Sequence, residues 1–336
     1  MECRHVLGRL HRRELPARRL PRAGRSLRAG QVLPAHRDGA VRFLARRRDR
    51  RGKAAGRFLD QPRPGTYEHR DAFFDIAGQF NVPRSPQGRP VIFQAGDSDE
   101  GRDFAASSAD AIFSRHSTLD EGQAFYADVK GRLAKFGRTR DELLVLPAAA
   151  FVLGDTEAEA QELAREVRRA QVSPQTALRF IEQLWNTELP DFDVDGPLPA
   201  FDPVVSDNLI SKGRASVRQF AKDPIGLANQ WRAKAEAEKL SARELVIEAT
   251  GRQSFIGTPA AVAERINQFV QEDASDGFIL VPHITPDGLE PFVDGVVPLL
   301  QERGVFRTEY EGETLRANLG LAPLAARVSA SAAAGS

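Results

Sequence analysis

Pro90-Val91-Ile92-Phe93-Gln94-Ala95-Gly96-Asp97-Ser98-Asp99-Glu100-Gly101 runs from a short apolar stretch, through a glycine and a serine, into a segment that reads as a helix to Ser108. The apolar part, 90–95, has the length of a buried strand, and Ala111-Ile112-Phe113 repeats the pattern after the helix. Two strands joined by a helical crossover are parallel, because only such a connection carries the chain back to the same end of a sheet.

The same unit continues downstream. Thr118 with Glu121 forms a candidate capping box before a helix whose Phe125, Val129 and Leu133 share one face. Leu143 to Leu153 reads as a third strand, shorter than its apolar run, and Thr156 with Glu159 opens a helix to about Ala170. A helix at 174–186 leads into a Pro, Asp and Gly-rich stretch at 187–213, then helices at 214–221, 224–239 and 241–250, so that 187–250 is a long excursion. Thr258 and Pro259 start a helix bearing Val262, Ile266 and Phe269, Gly277 to Val281 is a fourth strand, and 287–303 is a last helix. The fold class is α/β with about four parallel strands. Four cannot close a barrel of eight, so the chain holds either an open sheet or part of a TIM-like (β/α) barrel.

Upstream the character changes. Residues 1–53 hold sixteen arginines and Lys53 against Glu2, Glu14, Asp38 and Asp49, a net of +13, while the whole chain carries only +1. Scattered prolines and the charge leave too little apolar surface for a packed element, so 1–53 is expected to have no regular fold. Clustered arginines at 46–48 and 50–51 suit a nucleic-acid-binding arm, an alternative and non-enzymatic reading, but no aromatic platform accompanies them. The codons offer another account. Met1-Glu2 read one nucleotide later begins with a tryptophan codon, and the bases that follow permit WNVVTSWD and, further on, TGENFRRGG. The segment is expected to be out of frame with the protein that follows, making the chain a truncated form without activity.

Composition bounds the rest. At 41% hydrophobic and 28% charged the chain is of globular type, and no run of about 18 apolar residues exists to span a membrane. Cys3 as the one cysteine excludes a disulfide framework and a multi-cysteine zinc site, which places the chain in a reducing, cytoplasmic setting. The Ala/Ser-rich end, 326–336, reads as a flexible tail.

The 94–101 loop is where chemistry is most readable. At a strand-to-helix junction the backbone N–H groups and the helix dipole favour an anion; Gly96 permits close approach and Ser98 adds a hydroxyl. The competing reading is that Ser98 only caps the helix, with Asp99 and Glu100 as ordinary first-turn acids and Asp97, Asp99 and Glu100 repelling any anion. His116 and His283 each follow a strand, where barrel enzymes put their sites, and are candidate substrate contacts or plain loop histidines. His69 reads as part of a surface connection. Trp185 and Trp231 read as packing residues, and Asp191, Asp193 and Asp195 as a solvated segment rather than a calcium loop. No metal-ligand spacing and no catalytic side chain is readable.

Pro83 to Gly96, Ala109-Asp110-Ala111-Ile112-Phe113, Asp195-Gly196-Pro197-Leu198-Pro199, Asp276-Gly277-Phe278, Phe306 to Gly312 and Leu315-Arg316-Ala317-Asn318-Leu319-Gly320 occur in that order. Together they make the chain resemble the nitrilotriacetate and dibenzothiophene-sulfone monooxygenases, within the bacterial-luciferase-like flavin-dependent enzymes. The resemblance covers the C-terminal part of that fold and implies that 54–325 is barrel with the excursion inserted. It implies reduced FMN as cofactor, a separate NAD(P)H-dependent flavin reductase as partner, and O2 with a small organic substrate; a homo-oligomer also fits. By the same resemblance Gly96, Asp97 and Ser98 belong to the FMN phosphate site.

Overall fold

The computed structural model describes residues 66–79, 85–206, 223–251 and 254–324. The expectations for 1–53, for a helix at 214–221 and for the 326–336 tail fall outside them.

A two-stranded antiparallel hairpin comes first, β1 (Thr66–Arg70) and β2 (Asp75–Gln79), joined by a turn in which Asp71 accepts from the Phe73 and Phe74 N–H groups, both at 2.7 Å. The surface connection expected around His69 is thus a strand of this hairpin. An Asp one residue beyond the strand that satisfies two turn donors is local turn chemistry.

The main sheet is parallel: β3 (Phe93–Gln94), β4 (Ala111–Ser114), β5 (Leu144–Leu153), β6 (Phe255–Gly257) and β7 (Ile279–Val281). All four expected strands are present, β3 and β7 shorter than expected, and β6 is a fifth that the sequence did not reveal. The third strand corrects the expectation of a short one, since all ten residues 144–153 are extended. Its length has a cause: 144–147 pair with β4, 148–150 with β7 and 151–153 with β6, so three partners in succession use the whole run.

Backbone groups of successive strand residues point to alternate edges. Leu144 donates to the Asp110 carbonyl and Ala150 accepts from the Ser254 N–H, whereas Val145 accepts from the Asp276 N–H. β4 and β6 therefore share one edge of β5, and β7 lies on the other. The continuous ladder is β3, β4, β5, β7, with β6 prolonging the β4 edge.

Helices alternate with the strands: α1 (Asp99–Ser108), α2 (Leu119–Arg132), α3 (Glu157–Gln171), α4 (Pro174–Trp185), α5 (Pro224–Glu238), α6 (Ala242–Thr250), α7 (Pro259–Gln271), α8 (Glu290–Gly295), α9 (Val297–Glu302) and α10 (Leu315–Asn318). Ser98, Thr118, Thr156 and Thr258, the caps read from the sequence, and also Ser173 and Ser241 each accept at their side chain from the N–H three residues on; the reciprocal Glu bond of a capping box forms at Ser241 with Glu244 and not at Thr118 or Thr156, where it was expected. Each such cap contributes on the order of 1 kcal/mol. The single last helix expected at 287–303 is instead a 3-10 turn at Asp287–Leu289 followed by α8 and α9, which meet at Val296. Pro298 has no N–H to continue the ladder, which is why the helix divides there.

Three apolar cores result. Phe125, Val129 and Leu133 line up as their spacing requires and pack with Ala105, Ile112 and Val145 between the sheet and α1 and α2. Phe151, Phe255, Val262, Phe269 and Phe292 fill the space under α7 and α8. The excursion has its own core, in which Trp185, Trp231, Ile181 and Leu245 meet among α4, α5 and α6, so both tryptophans are packing residues.

Candidate functional site

Because the five strands are parallel, their C-terminal ends share one rim, and the segments 95–98, 115–118 and 282–286 leave it. Ser98 sits at the N-cap of α1 with its Oγ accepting from the Gly101 N–H at 3.2 Å. Its hydroxyl proton is not used by that bond, so capping and donating outward are compatible. The Gly96 N–H donates to Oε1 of Gln94, which folds the loop back on the end of β3. Gly96 and Gly101 face each other so closely that a Cβ on Gly101 would lie 2.8 Å from the Gly96 carbonyl carbon, so neither position admits a larger residue without moving the loop.

Two of the three acidic side chains that argued against an anion, Asp97 and Asp99, are engaged by arginines. Arg102 donates from Nη2 to Asp97 Oδ1 at 2.9 Å and from Nε to the Asp97 carbonyl at 3.2 Å, and from Nη1 to Asp128 at 2.9 Å. Arg132 donates to Asp99 at 2.7 Å and to Asp103 at 2.9 Å, and also pairs with Asp128. Lys135 adds a contact to Asp103. Hydrogen bonds from Lys135 and Arg132 hold the Asp103 carboxyl below the usual carboxylate range. At Asp128 burial works the other way and is outweighed by Arg102 and Arg132, with the same net direction. The loop is thus bound by a bridge of alternating charges to α2, and two of its three carboxylates are neutralised.

His116, from the loop after β4, joins this group. Its Nε2 is 3.5 Å from Asp97 Oδ1, its ring centroid is 4.6 Å from that of Phe125, and the Arg102 guanidinium lies 4.8 Å over the same phenyl ring. At that separation Nε2 makes no hydrogen bond, and the atom is buried with its bonding capacity unused. The structure therefore brings Gly96, Asp97, Ser98 and His116 together. His283 is exposed on the loop after β7 and makes none of these contacts.

Sequence reasoning missed Arg102, Gln94, Asp128 and Arg132. The i, i+4 pair Asp128 and Arg132 was readable on α2; that it would clamp the loop was not, since the contact crosses 33 residues at Asp99. Among the described residues no cluster of three or more His, Cys, Asp and Glu side chains is arranged to hold a metal ion, and no helix is long and apolar enough to cross a membrane.

The donor set fits the phosphate end of a nucleotide: the leading N–H groups of α1, which precede its first internal hydrogen bonds, and the Ser98 hydroxyl. The Arg102 and Arg132 pairs remove the main electrostatic objection.

Residues 55–276 match the model of the luciferase-like monooxygenases. The chain is 42% identical to nitrilotriacetate monooxygenase component A of Aminobacter aminovorans over 81% of its own length and 57% of that protein's. It is 34% identical to dibenzothiophene-sulfone monooxygenase of Rhodococcus erythropolis over 80% of its length, again 57% of the relative's. Among solved structures, EDTA monooxygenase from Chelativorans sp. BNC1 superposes with a TM-score of 0.59 at 29% identity, covering 91% of this chain and 68% of that one. The chain spans somewhat over half the length of these sequence relatives, and it belongs to the luciferase-like monooxygenase family.

Proposed function

We propose that this chain is the FMN-binding part of a flavin-dependent monooxygenase that uses O2 to oxidise a small organic substrate in the cytoplasm, with reduced FMN delivered by a separate NAD(P)H-dependent flavin reductase. The observation that carries the reading is the junction at 95–101. There a capped helix N-terminus and a spare hydroxyl meet, with His116 beside Asp97, while Asp97 and Asp99 are tied to arginines. Similarity to nitrilotriacetate monooxygenase component A, whose name marks it as one component of a system, supports the separate reductase.

Bound FMN would supply the oxygen chemistry, and the protein's part is orientation and exclusion of water. Ser98 and the leading N–H groups of α1 hold the phosphate. Gly96 lets the backbone approach it, and Asp97, held by Arg102, fixes the loop. His116 stands beside that end; His283, exposed on the same rim, is the residue with which a substrate entering from solvent would make contact.

The continuous ladder of described strands is half of an eight-stranded barrel, so we assign this chain the phosphate end of the cofactor and little turnover of its own. The test compares FMN with riboflavin by fluorescence quenching, alongside oxygen consumption in the presence of a flavin reductase and NADH. FMN is expected to bind at least tenfold tighter than riboflavin, with oxygen uptake near the reductase-only background. Equal affinity for the two flavins would overturn the phosphate site, and robust product formation would overturn the assignment of little turnover.

A further inference from the structure

His116 Nε2 is buried and unbonded, which limits what the ring can do. A buried atom is out of reach of a ligand at the rim, so this nitrogen acts on what already lies beside it. Its polar neighbour is Asp97 Oδ1 at 3.5 Å, the same oxygen that accepts from Arg102 Nη2 at 2.9 Å. The gap to Asp97 is a few tenths of an ångström too long for an N–H···O bond. Protonation changes that. An imidazolium carries a proton on Nε2 whatever the tautomer of the neutral ring, and a charge-assisted bond to a carboxylate closes to about 2.7–2.9 Å.

The surroundings suit a cation at this point. The ring lies against Phe125, with centroids 4.6 Å apart, and an aromatic face attracts positive charge. Arg102, 4.8 Å over the same phenyl ring, opposes it, but the Arg102 charge is shared between Asp97 and Asp128. Arg132 on α2 is likewise committed to Asp99, Asp103 and Asp128. Arg115, next to His116 in the chain, is exposed, as are Asp120 and Glu121 in the first turn of α2, so solvent screens all three.

We infer that His116 is a positioning residue for the phosphate loop: when its ring is protonated it ties Asp97, and with it the 95–98 segment leaving β3, to the loop after β4. The inference rests on the FMN reading of that segment. Asp97 stands between Gly96 and Ser98, so a second bond on its carboxylate restrains the two residues that face the anion. The tie forms as pH falls through the range in which imidazoles titrate, pH 5 to 8, and is released above it. The gain is modest, because the Asp97 side chain is 64% exposed and water competes for it.

FMN affinity of the full chain, measured by fluorescence quenching from pH 5.5 to 8.5, tests this against His116→Gln, whose amide takes up no proton. The phosphate of FMN itself gains a proton near pH 6, so the quantity read is the ratio of the two dissociation constants at each pH, in which the ionisation of the ligand cancels. The variant is expected to bind as well as the native chain at pH 8.5 and about three- to fivefold more weakly at pH 5.5. In an Asp97→Asn background the same ratio should be flat. Hydrogen exchange of the 95–101 segment without flavin is the second readout: the native chain should exchange more slowly than His116→Gln at pH 6 and equally at pH 8.5. If His116→Gln does not fold, Asp97→Asn alone takes its place in both comparisons, with the same trend toward low pH expected. A ratio that is constant with pH, which would mean that His116 only packs against Phe125, overturns the inference, and so does one that still varies in the Asp97→Asn background. Should FMN bind no better than riboflavin, the phosphate site fails, while the exchange comparison still decides the tie between His116 and Asp97.

Discussion

Arg316 donates from Nη2 to Oδ1 of Asp110 at 2.5 Å across 206 residues of chain, and both side chains are buried. Arg89 donates to the same carboxylate, which also accepts from the Ile92 N–H at 2.8 Å. One carboxylate thus binds the segment before β3, the start of β4 and the short α10 at the end of the described chain.

Asp110→Asn should therefore destabilise strongly, because it leaves two buried guanidinium groups without a countercharge. A cost of about 3–5 kcal/mol is expected, read as a lower urea midpoint. The pH dependence has a definite sign. Burial alone would raise the Asp110 carboxyl, but the bonds from Arg89, Ile92 and Arg316 outweigh it and hold it below the usual range. Its contribution is complete above about pH 4 and is lost as pH falls through the lower folded value. The advantage of the native chain over Asp110→Asn should shrink on acidification; an advantage that grows below pH 4 would contradict this.

Tyr126 donates to Asp276 Oδ1 at 2.7 Å, and the other oxygen of Asp276 accepts from the Val145 N–H at 2.7 Å and pairs with Lys130 at 2.8 Å. Burial, then the neighbouring carboxylate, pushes the Tyr126 phenol well above its ordinary value. Tyr126→Phe should cost about 1.5–3 kcal/mol, the range for a hydrogen bond to a charged group. Ultraviolet titration of the folded chain and of Tyr126→Phe should give the same phenolate signal up to about pH 11, since Tyr126 does not ionise there. The sign for stability follows: past about pH 10 the unfolded chain gains by ionising this tyrosine, and the native state loses ground as pH rises.

These two carboxylates bear on what the sequence disclosed. The words around Asp110, Asp276 and Arg316 supported the family resemblance, yet the contacts that tie Asp276 to Val145 and Asp110 to Arg316 cross 131 and 206 residues and have no local signature. Helix starts were legible because a Ser or Thr cap acts over three residues. β6 was hidden because a strand of three residues, Phe255 to Gly257, carries no period, and β5 was misjudged because its length is set by three partners in succession. At the candidate site Gly96, Asp97 and Ser98 were readable as a junction. The neutralisation of its acids by Arg102 and Arg132 was not, since it depends on α2 lying against α1.

Arg102 carries that neutralisation for Asp97, holding both its carboxylate and its carbonyl while reaching Asp128. A lysine keeps the charge and has three N–H donors, but they sit on one nitrogen and cannot span Asp97 and Asp128 as the separate guanidinium nitrogens do. Arg102→Lys should weaken FMN binding several-fold with a stability loss of about 1 kcal/mol. Riboflavin binding should not respond. An equal loss for both flavins would mean that the substitution disturbs the fold and not the anion site.

Ser98 separates the two roles that its position combines. Its Oγ caps α1 by accepting from the Gly101 N–H, and the proposed site asks its hydroxyl to donate to a phosphate. Ser98→Asp preserves the cap, since aspartate is as good an N-cap as serine, but it removes the donor and sets a negative charge where the phosphate would lie. The urea midpoint should hold or rise slightly. FMN affinity should fall about ten- to a hundredfold, as expected for losing a hydrogen bond to a charged group, worth roughly 1.5–3 kcal/mol, with repulsion added. Ser98→Ala gives the complementary pattern, losing about 1 kcal/mol of stability from the cap as well as the flavin contact. If Ser98→Asp binds FMN within twofold of the native chain while Ser98→Ala shifts the melt alone, Ser98 is a helix cap and nothing more.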